Sequence, residues 1–176
     1  MSVLVFAEIS DGKFKKATFE AVSYGRQVAD MLGTEVVALA IGNGVNTADL
    51  GQYGAQTTIH IASSESFTPD AYAVAANAVA NEVNASIVIV SNTYTGKSIS
   101  PRLAQLMGAS LATNVVSLPN TTQGFVVKRG VFSGKAFSFV DLQRDKKVIA
   151  ITPNSFELAT FDSTGTTTSS LSLIHI

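Results

Sequence analysis

Apolar residues in this chain fall into short unbroken runs, and stretches of helical spacing separate the runs. Residues 3–7, 35–41 and 87–90 lack polar alternation, as strands covered on both faces do. After the Asp11-Gly12 turn, residues 14–32 place Ala17, Ala21, Val22, Val28, Ala29 and Leu32 at helical spacing, and Gly33 closes the helix. Gly42-Asn43-Gly44 turns the chain into a short helix from Thr47 to Tyr53. Residues 57–62 read as a strand nearer an edge, because Thr and His dilute its apolar residues. Residues 68–83 read as an Ala-rich helix with Thr68 as cap and Pro69 at its first position. The order βαβαβαβ predicts a parallel sheet with right-handed crossovers.

Beyond the run at 87–90, a polar turn leads to a helix with Pro101 in or near its first turn, Gly108 as its stop, and an extended segment over 111–118. The pattern then changes. Segments 115–118, 124–129, 135–142 and 147–152 are extended and joined by short Pro/Gly/Asn/Asp turns, which predicts added antiparallel strands or hairpins across the sheet's end. From Leu158 the pattern collapses, and residues 159–170 are expected to be a Ser/Thr/Gly interdomain linker.

The last residues, LSLIHI at 171–176, are apolar again. The codons CTG-TCT-CTT-ATA-CAC-ATC spell that string, and they are a transposon-end adapter of fragment sequencing libraries. The expectation is therefore that 171–176 are read-through into adapter and that the natural frame continues after Ser170. His175 is then no ligand, and the chain is a fragment ending in a linker.

Composition narrows the function. Hydrophobic residues are 46% and charged ones 14%, which predicts a globular domain with part of its surface covered by a partner. A net charge of −1 without a Lys/Arg footprint argues against nucleic acid. Lys13, Lys15 and Lys16 read as a solvated helix start. Without cysteine there is no disulfide framework, no thiol chemistry and no Cys metal site. Neither a signal peptide nor an apolar run approaching a membrane span is readable, so the expectation is a soluble, cytoplasmic protein without membrane insertion.

Candidate chemistry is sparse. Thr95-Gly96-Lys97-Ser98 has the ending of a phosphate-binding P-loop, but Ser91 stands where the earlier glycine belongs. These residues read first as a loop whose hydroxyls cap the helix before Pro101; the alternative is a backbone nest lining a partner or nucleotide cleft, with Thr95, Gly96, Lys97 and Ser98 as its candidates. Gly42-Asn43-Gly44 opens a dinucleotide fingerprint that fails at Thr47. His60 has no second ligand at useful spacing, and Arg102 suits a surface or interdomain ion pair. Asp11, Asp30 and Asp49 sit near element ends, where carboxylates cap or accept turn hydrogen bonds. Phe125, Phe132, Phe137 and Phe139 read as core and interface aromatics, with a cofactor-stacking platform as the alternative. No catalytic residue and no metal site emerge.

Several blocks resemble electron transfer flavoprotein alpha subunits: MSVLVFAE with DGKFKKATFEAVSYGRQVAD, then SNTYTGKSISPRLAQLMGASLATNVVSL, and VIAITPNSFE at 148–157. Phe132-Ser133-Gly134-Lys135-Ala136 is similar to that family's Tyr-Ala-Gly-Asn-Ala, with Phe132 and Lys135 replacing Tyr and Asn. The resemblance covers residues 1–158 and implies an adenine-nucleotide-hydrolase-like, Rossmann-like three-layer α/β domain that packs against a beta subunit. It further implies a heterodimeric electron carrier, not an enzyme. FAD in that carrier takes electrons from dehydrogenases, such as the acyl-CoA dehydrogenases of fatty acid beta-oxidation, toward a quinone oxidoreductase. The family holds FAD mainly in the alpha subunit's C-terminal domain, expected beyond this chain, so no FAD contact carries over to a residue here. Two other readings compete: a stand-alone adenine-nucleotide module of the universal-stress type, using Gly42–Gly44 and Thr95–Ser98, and a small α/β hydrolase.

Overall fold

The computed structural model describes residues 1–63, 66–161 and 166–168, so the expected adapter segment at 171–176 lies outside the described residues. In chain order the elements are β1 (Ser2–Phe6), β2 (Ile9–Ser10), β3 (Lys13–Phe14), α1 (Lys16–Leu32), β4 (Glu35–Ile41), α2 (Ala48–Gln52) and β5 (Thr57–Ile61). Then come α3 (Pro69–Glu82), β6 (Ala85–Ser91), α4 (Tyr94–Met107), β7 (Ser110–Val115), β8 (Val126–Val131), β9 (Ala136–Asp141), β10 (Lys147–Ile151) and β11 (Thr166–Thr168). The main sheet runs β11-β5-β4-β1-β6-β10-β7-β8-β9, parallel from β11 to β7 and antiparallel over its last two strands.

The unbroken apolar runs are buried on both faces, as a parallel sheet requires. Along β1, Val3 and Val5 enter the core layer shared with α1, while Leu4 and Phe6 enter the opposite layer under α3 and α4. This makes three layers, helix–sheet–helix. Helix α1 lies so close to the sheet that a Cβ on Gly25 would sit 2.5 Å from Val5 Cγ2. Gly33 and Gly108 end α1 and α4 in the left-handed conformation, at φ 64° and 61°.

Two expectations need correction. Pro101 lies inside α4, which already starts at Tyr94. Thr93 begins the helix by accepting the Gly96 N–H at 3.1 Å, and no apolar periodicity marks that polar first turn. The Arg102 guanidinium donates to the Ser98 carbonyl at 2.8 Å, next to the break in the hydrogen-bond ladder that a proline makes. The extended segment at 111–118 is the strand Ser110–Val115.

Second, the segment at 147–152 is no antiparallel addition. β10 pairs in parallel with both β6 and β7, so the β8–β9 excursion serves as the crossover that returns the chain to the middle of the sheet. Burial on both faces favours that place for Val148, Ile149, Ala150 and Ile151, all within 1% of full burial.

After β10 the chain folds back on α1 and α2. The Asn154 N–H donates to the buried Glu20 Oε2 at 2.7 Å, and Phe156 packs edge-to-face on Tyr24 with ring centres 4.6 Å apart. Ser23 Oγ donates to the Ala159 carbonyl at 3.2 Å, and the Phe161 N–H donates to the Gln52 carbonyl at 2.8 Å. Thr166–Thr168 then pair in parallel with Thr57–Ile59, which puts β5 one place in from the edge. Threonine is β-branched and suits such an edge.

Of the four clustered phenylalanines, Phe125 joins the core, and Phe132, Phe137 and Phe139 are 80%, 56% and 71% exposed. β9 alternates, and its aromatic face meets no layer.

Candidate functional site

Open parallel α/β sheets bind ligands where neighbouring strands send their chains to opposite sides, at the carboxyl ends. That point lies here between β1, which leads through α1 to β4, and β6, which leads through α4 to β7. Glu8 follows β1, and Ser91, Asn92 and Thr93 end β6.

The place is filled by the chain's own groups. Thr93 Oγ1 donates to Glu8 Oε2 at 2.5 Å while accepting the Gly96 N–H. Thr18 Oγ1 donates to the Glu8 carbonyl and Ser91 Oγ to the Ala17 carbonyl, both at 2.8 Å, so the start of α1 is tied across the gap. A Cβ on Gly96 would fall 1.8 Å from the Ser91 carbonyl oxygen, so the glycine allows the closest approach of helix to strand end. The positive end of a helix macrodipole favours an anion, and the Glu8 carboxylate supplies one.

The sequence candidates Thr95, Gly96, Lys97 and Ser98 are therefore helical. Gly96 is buried, Lys97 is exposed, the Lys97 N–H donates to the Thr93 carbonyl at 2.9 Å, and Ser98 Oγ donates to the Tyr94 carbonyl at 2.9 Å. Sequence reasoning missed Glu8. A lone acid directly after the first buried strand was the available signal. Beside it, Asn92 donates its side-chain amide to Asn114, and its N–H reaches the Ile151 carbonyl at 2.7 Å.

The remaining candidates are spread over the surface. His60 Nε2 lies 2.6 Å from the Gly42 carbonyl, and Arg102 pairs with Asp70. Asp30 pairs with Arg26 at 2.8 Å and Asp11 with Lys15 at 3.5 Å, while Asp49 accepts from Asn46 Nδ2 at 2.9 Å. Lys16 reaches Glu20 at 3.5 Å. Among the described residues no group of His, Cys, Asp and Glu is placed to hold a metal ion. No helix among them is long and apolar enough to cross a membrane. Tyr24 donates to the Ser117 carbonyl at 3.2 Å, and burial pushes its hydroxyl well above the ordinary tyrosine range. Desolvation raises the Tyr72 hydroxyl as well.

A flavin dinucleotide does not fit the described residues. Its pyrophosphate would need the helix N-terminus that Thr93 and Glu8 already occupy. A depression of about 490 Å³ between α3 and α4 is lined by Ala73, Val74, Pro101 and Leu106, and its Arg102 is engaged by Asp70. Another, of about 530 Å³, lies at Lys16 and residues 154–158, where Lys16 faces Glu20 and Asn154.

The fold and its closed strand ends define a Rossmann-like three-layer α/β domain. Residues 3–170 match the electron transfer flavoprotein domain, and the chain belongs to that family. It is 32% identical over 165 residues to the electron transfer flavoprotein subunit alpha of Bacillus subtilis, covering 91% of this chain and 50% of that protein. Protein FixB of Clostridium saccharobutylicum is 29% identical over 167 residues, with the same two coverages. The acryloyl-CoA reductase electron transfer subunit beta of Anaerotignum propionicum is 31% identical over 120 residues, or 66% of this chain and 33% of that protein. The chain spans about half the length of the first two relatives. A stand-alone nucleotide module is not favoured, because the match includes the antiparallel β8–β9 excursion and the strand-end crevice is closed.

Proposed function

We propose that this chain is the N-terminal domain of an electron transfer flavoprotein alpha subunit and serves as its rigid, flavin-free body. The observation that carries this reading is the family match over residues 3–170, together with alpha-subunit relatives twice as long as the chain. In the whole protein a second domain holds FAD, a beta subunit completes a heterodimer, and the flavin passes electrons from dehydrogenases, such as acyl-CoA dehydrogenases, to a quinone oxidoreductase in the cytoplasm. The relatives' names call them subunits, which supports a partner chain.

This domain contributes assembly, while the flavin carries the redox chemistry. Residues 1–158 form its body, residues 159–170 lead toward the flavin half, and 171–176 are adapter-derived. Reading the gene past the Ser170 codon on unfragmented DNA tests this. The reading expects the frame to run on for about another domain containing a Gly-rich FAD segment. A genuine stop after Ile176, with adenine nucleotide bound stoichiometrically by the chain, would overturn it.

A further inference from the structure

The loop after β4 carries a reactive pair that the end of β6 does not use. Asn43 is followed by Gly44, and no other asparagine of the chain precedes a glycine. Without a Cβ, glycine leaves its own peptide nitrogen open to approach and its backbone free to swing. Where that nitrogen reaches the preceding side-chain amide, a five-membered imide closes.

Both reacting groups are free here. Asn43 and Gly44 are exposed, and Gly44 is left-handed at φ 84°. Among the described residues neither the Asn43 side-chain amide nor the Gly44 N–H makes a hydrogen bond. The loop's anchors stand on either side of the pair. The Gly42 N–H donates to the Ile61 carbonyl at 3.0 Å, and the Gly42 carbonyl lies 2.6 Å from His60 Nε2. Beyond the pair, Asn46 Oδ1 accepts the Ala48 N–H at 3.3 Å. A depression of about 240 Å³, lined by Gly12, Lys13, Gly44 and Asn46 among others, opens the pair to water.

Other asparagines are engaged. Asn81 accepts from Lys146, Asn154 from Lys16 and Asn120 from the Thr122 N–H, while Asn92 donates to Asn114. The nearby Asp11-Gly12 pair supplies an internal comparison, since a Cβ on Gly44 would lie 3.6 Å from Gly12 Cα. There the turn is closed by the pairing of Ser10 with Lys13, and the Asp11 carboxylate meets Lys15 at 3.5 Å. A carboxylate also resists attack by a peptide nitrogen where a neutral amide does not.

We infer that Asn43 is a site of spontaneous covalent modification, at which the chain passes with age into aspartyl and isoaspartyl forms. The Gly44 nitrogen bonds to Asn43 Cγ, the bond from Cγ to the side-chain nitrogen breaks, and that nitrogen leaves as ammonia with the proton Gly44 gives up. Water then opens the imide, and no atom changes oxidation state. Opening at Cγ leaves aspartate. Opening at the backbone carbonyl leaves isoaspartate, in which the chain runs through Cγ and the α-carboxylate is free. Either product places a new negative charge in the loop, and the free α-carboxylate is the group an isoaspartyl carboxyl methyltransferase esterifies.

The test incubates the 176-residue chain in neutral buffer at physiological temperature, both folded and in urea. Peptide mapping by mass spectrometry follows each asparagine, and transfer of a labelled methyl group by an isoaspartyl methyltransferase reports the isoaspartyl form. In the folded chain Asn43 should lose its amide about tenfold faster than any other asparagine, and within about threefold of its rate in urea. Asn43→Gln would need a six-membered imide; it should abolish methyl acceptance and leave Tm unchanged. A folded rate about a hundredfold below the rate in urea would show a closed loop and overturn the inference. Methyl label that maps to Asp11 in place of residue 43 would overturn it as well.

Discussion

The carboxyl end of β6 and the tip of the β8–β9 hairpin lie in one sheet and are opposite in kind. At β6, Glu8, Thr93, Gly96, Ser91 and the start of α1 satisfy one another, so the usual ligand crevice of this fold is closed from within. At the hairpin, Phe132, Phe137 and Phe139 stand largely in solvent, with the Lys128 ammonium over the Phe137 ring. The contrast teaches that one sheet can satisfy the polar end of an inner strand from within while leaving aromatic surface free at its edge.

Substitutions should separate the two kinds of region. The largest effect is expected within the sheet: Ile89→Ala removes a fully buried side chain and should lower unfolding free energy by about 4 kcal/mol. Phe139→Ala should change it by less than about 0.5 kcal/mol. Urea denaturation reads both, and equal losses would erase the distinction between packed sheet and free hairpin.

Next, Gly96→Ala drives a methyl group into the Ser91 carbonyl oxygen, where backbone must move, and should cost about 3 kcal/mol by the same assay. A neutral result would mean that the helix start is not pressed on the strand end. Glu8→Gln keeps an acceptor for Thr93 but removes the charge, and should cost about 1 kcal/mol, more at low salt than at high.

The smallest effect concerns pH. Tyr24 is buried and its hydroxyl titrates above the ordinary value, so in alkali the unfolded chain binds fewer protons than the folded one. The stability it contributes is intact below about pH 10 and is lost as pH rises beyond it. Tyr24→Phe should flatten the alkaline fall in Tm, and an unchanged slope would show that Tyr24 does not drive it.

Much of the fold was legible because burial on both faces leaves a local mark. The runs at 3–7, 35–41 and 87–90 all became inner strands. The same mark at Val148, Ile149, Ala150 and Ile151 pointed to the centre of the sheet, but chain order suggested an antiparallel edge, and only the long-range return of β10 between β6 and β7 decides it. Pro101 misled because the helix start is set by the Thr93 cap on the Gly96 N–H and by Gly96 lying against Ser91, local contacts that leave no mark in the apolar pattern. The alternation of Phe137 and Phe139 was visible, whereas which face of β9 lacks cover is settled by neighbours far along the chain. Glu8 stayed silent because a single acid becomes informative only when a hydroxyl at the next strand's end is found against it.

The proposal that this domain is the flavin-free body of an alpha subunit is tested most directly by FAD fluorescence anisotropy during titration with the chain alone. The account predicts no saturable rise, and the same absence with AMP as competitor of any weak signal. A saturable, one-to-one rise that Glu8→Gln strengthens or Gly96→Ala abolishes would place a nucleotide at the end of β6 and contradict it.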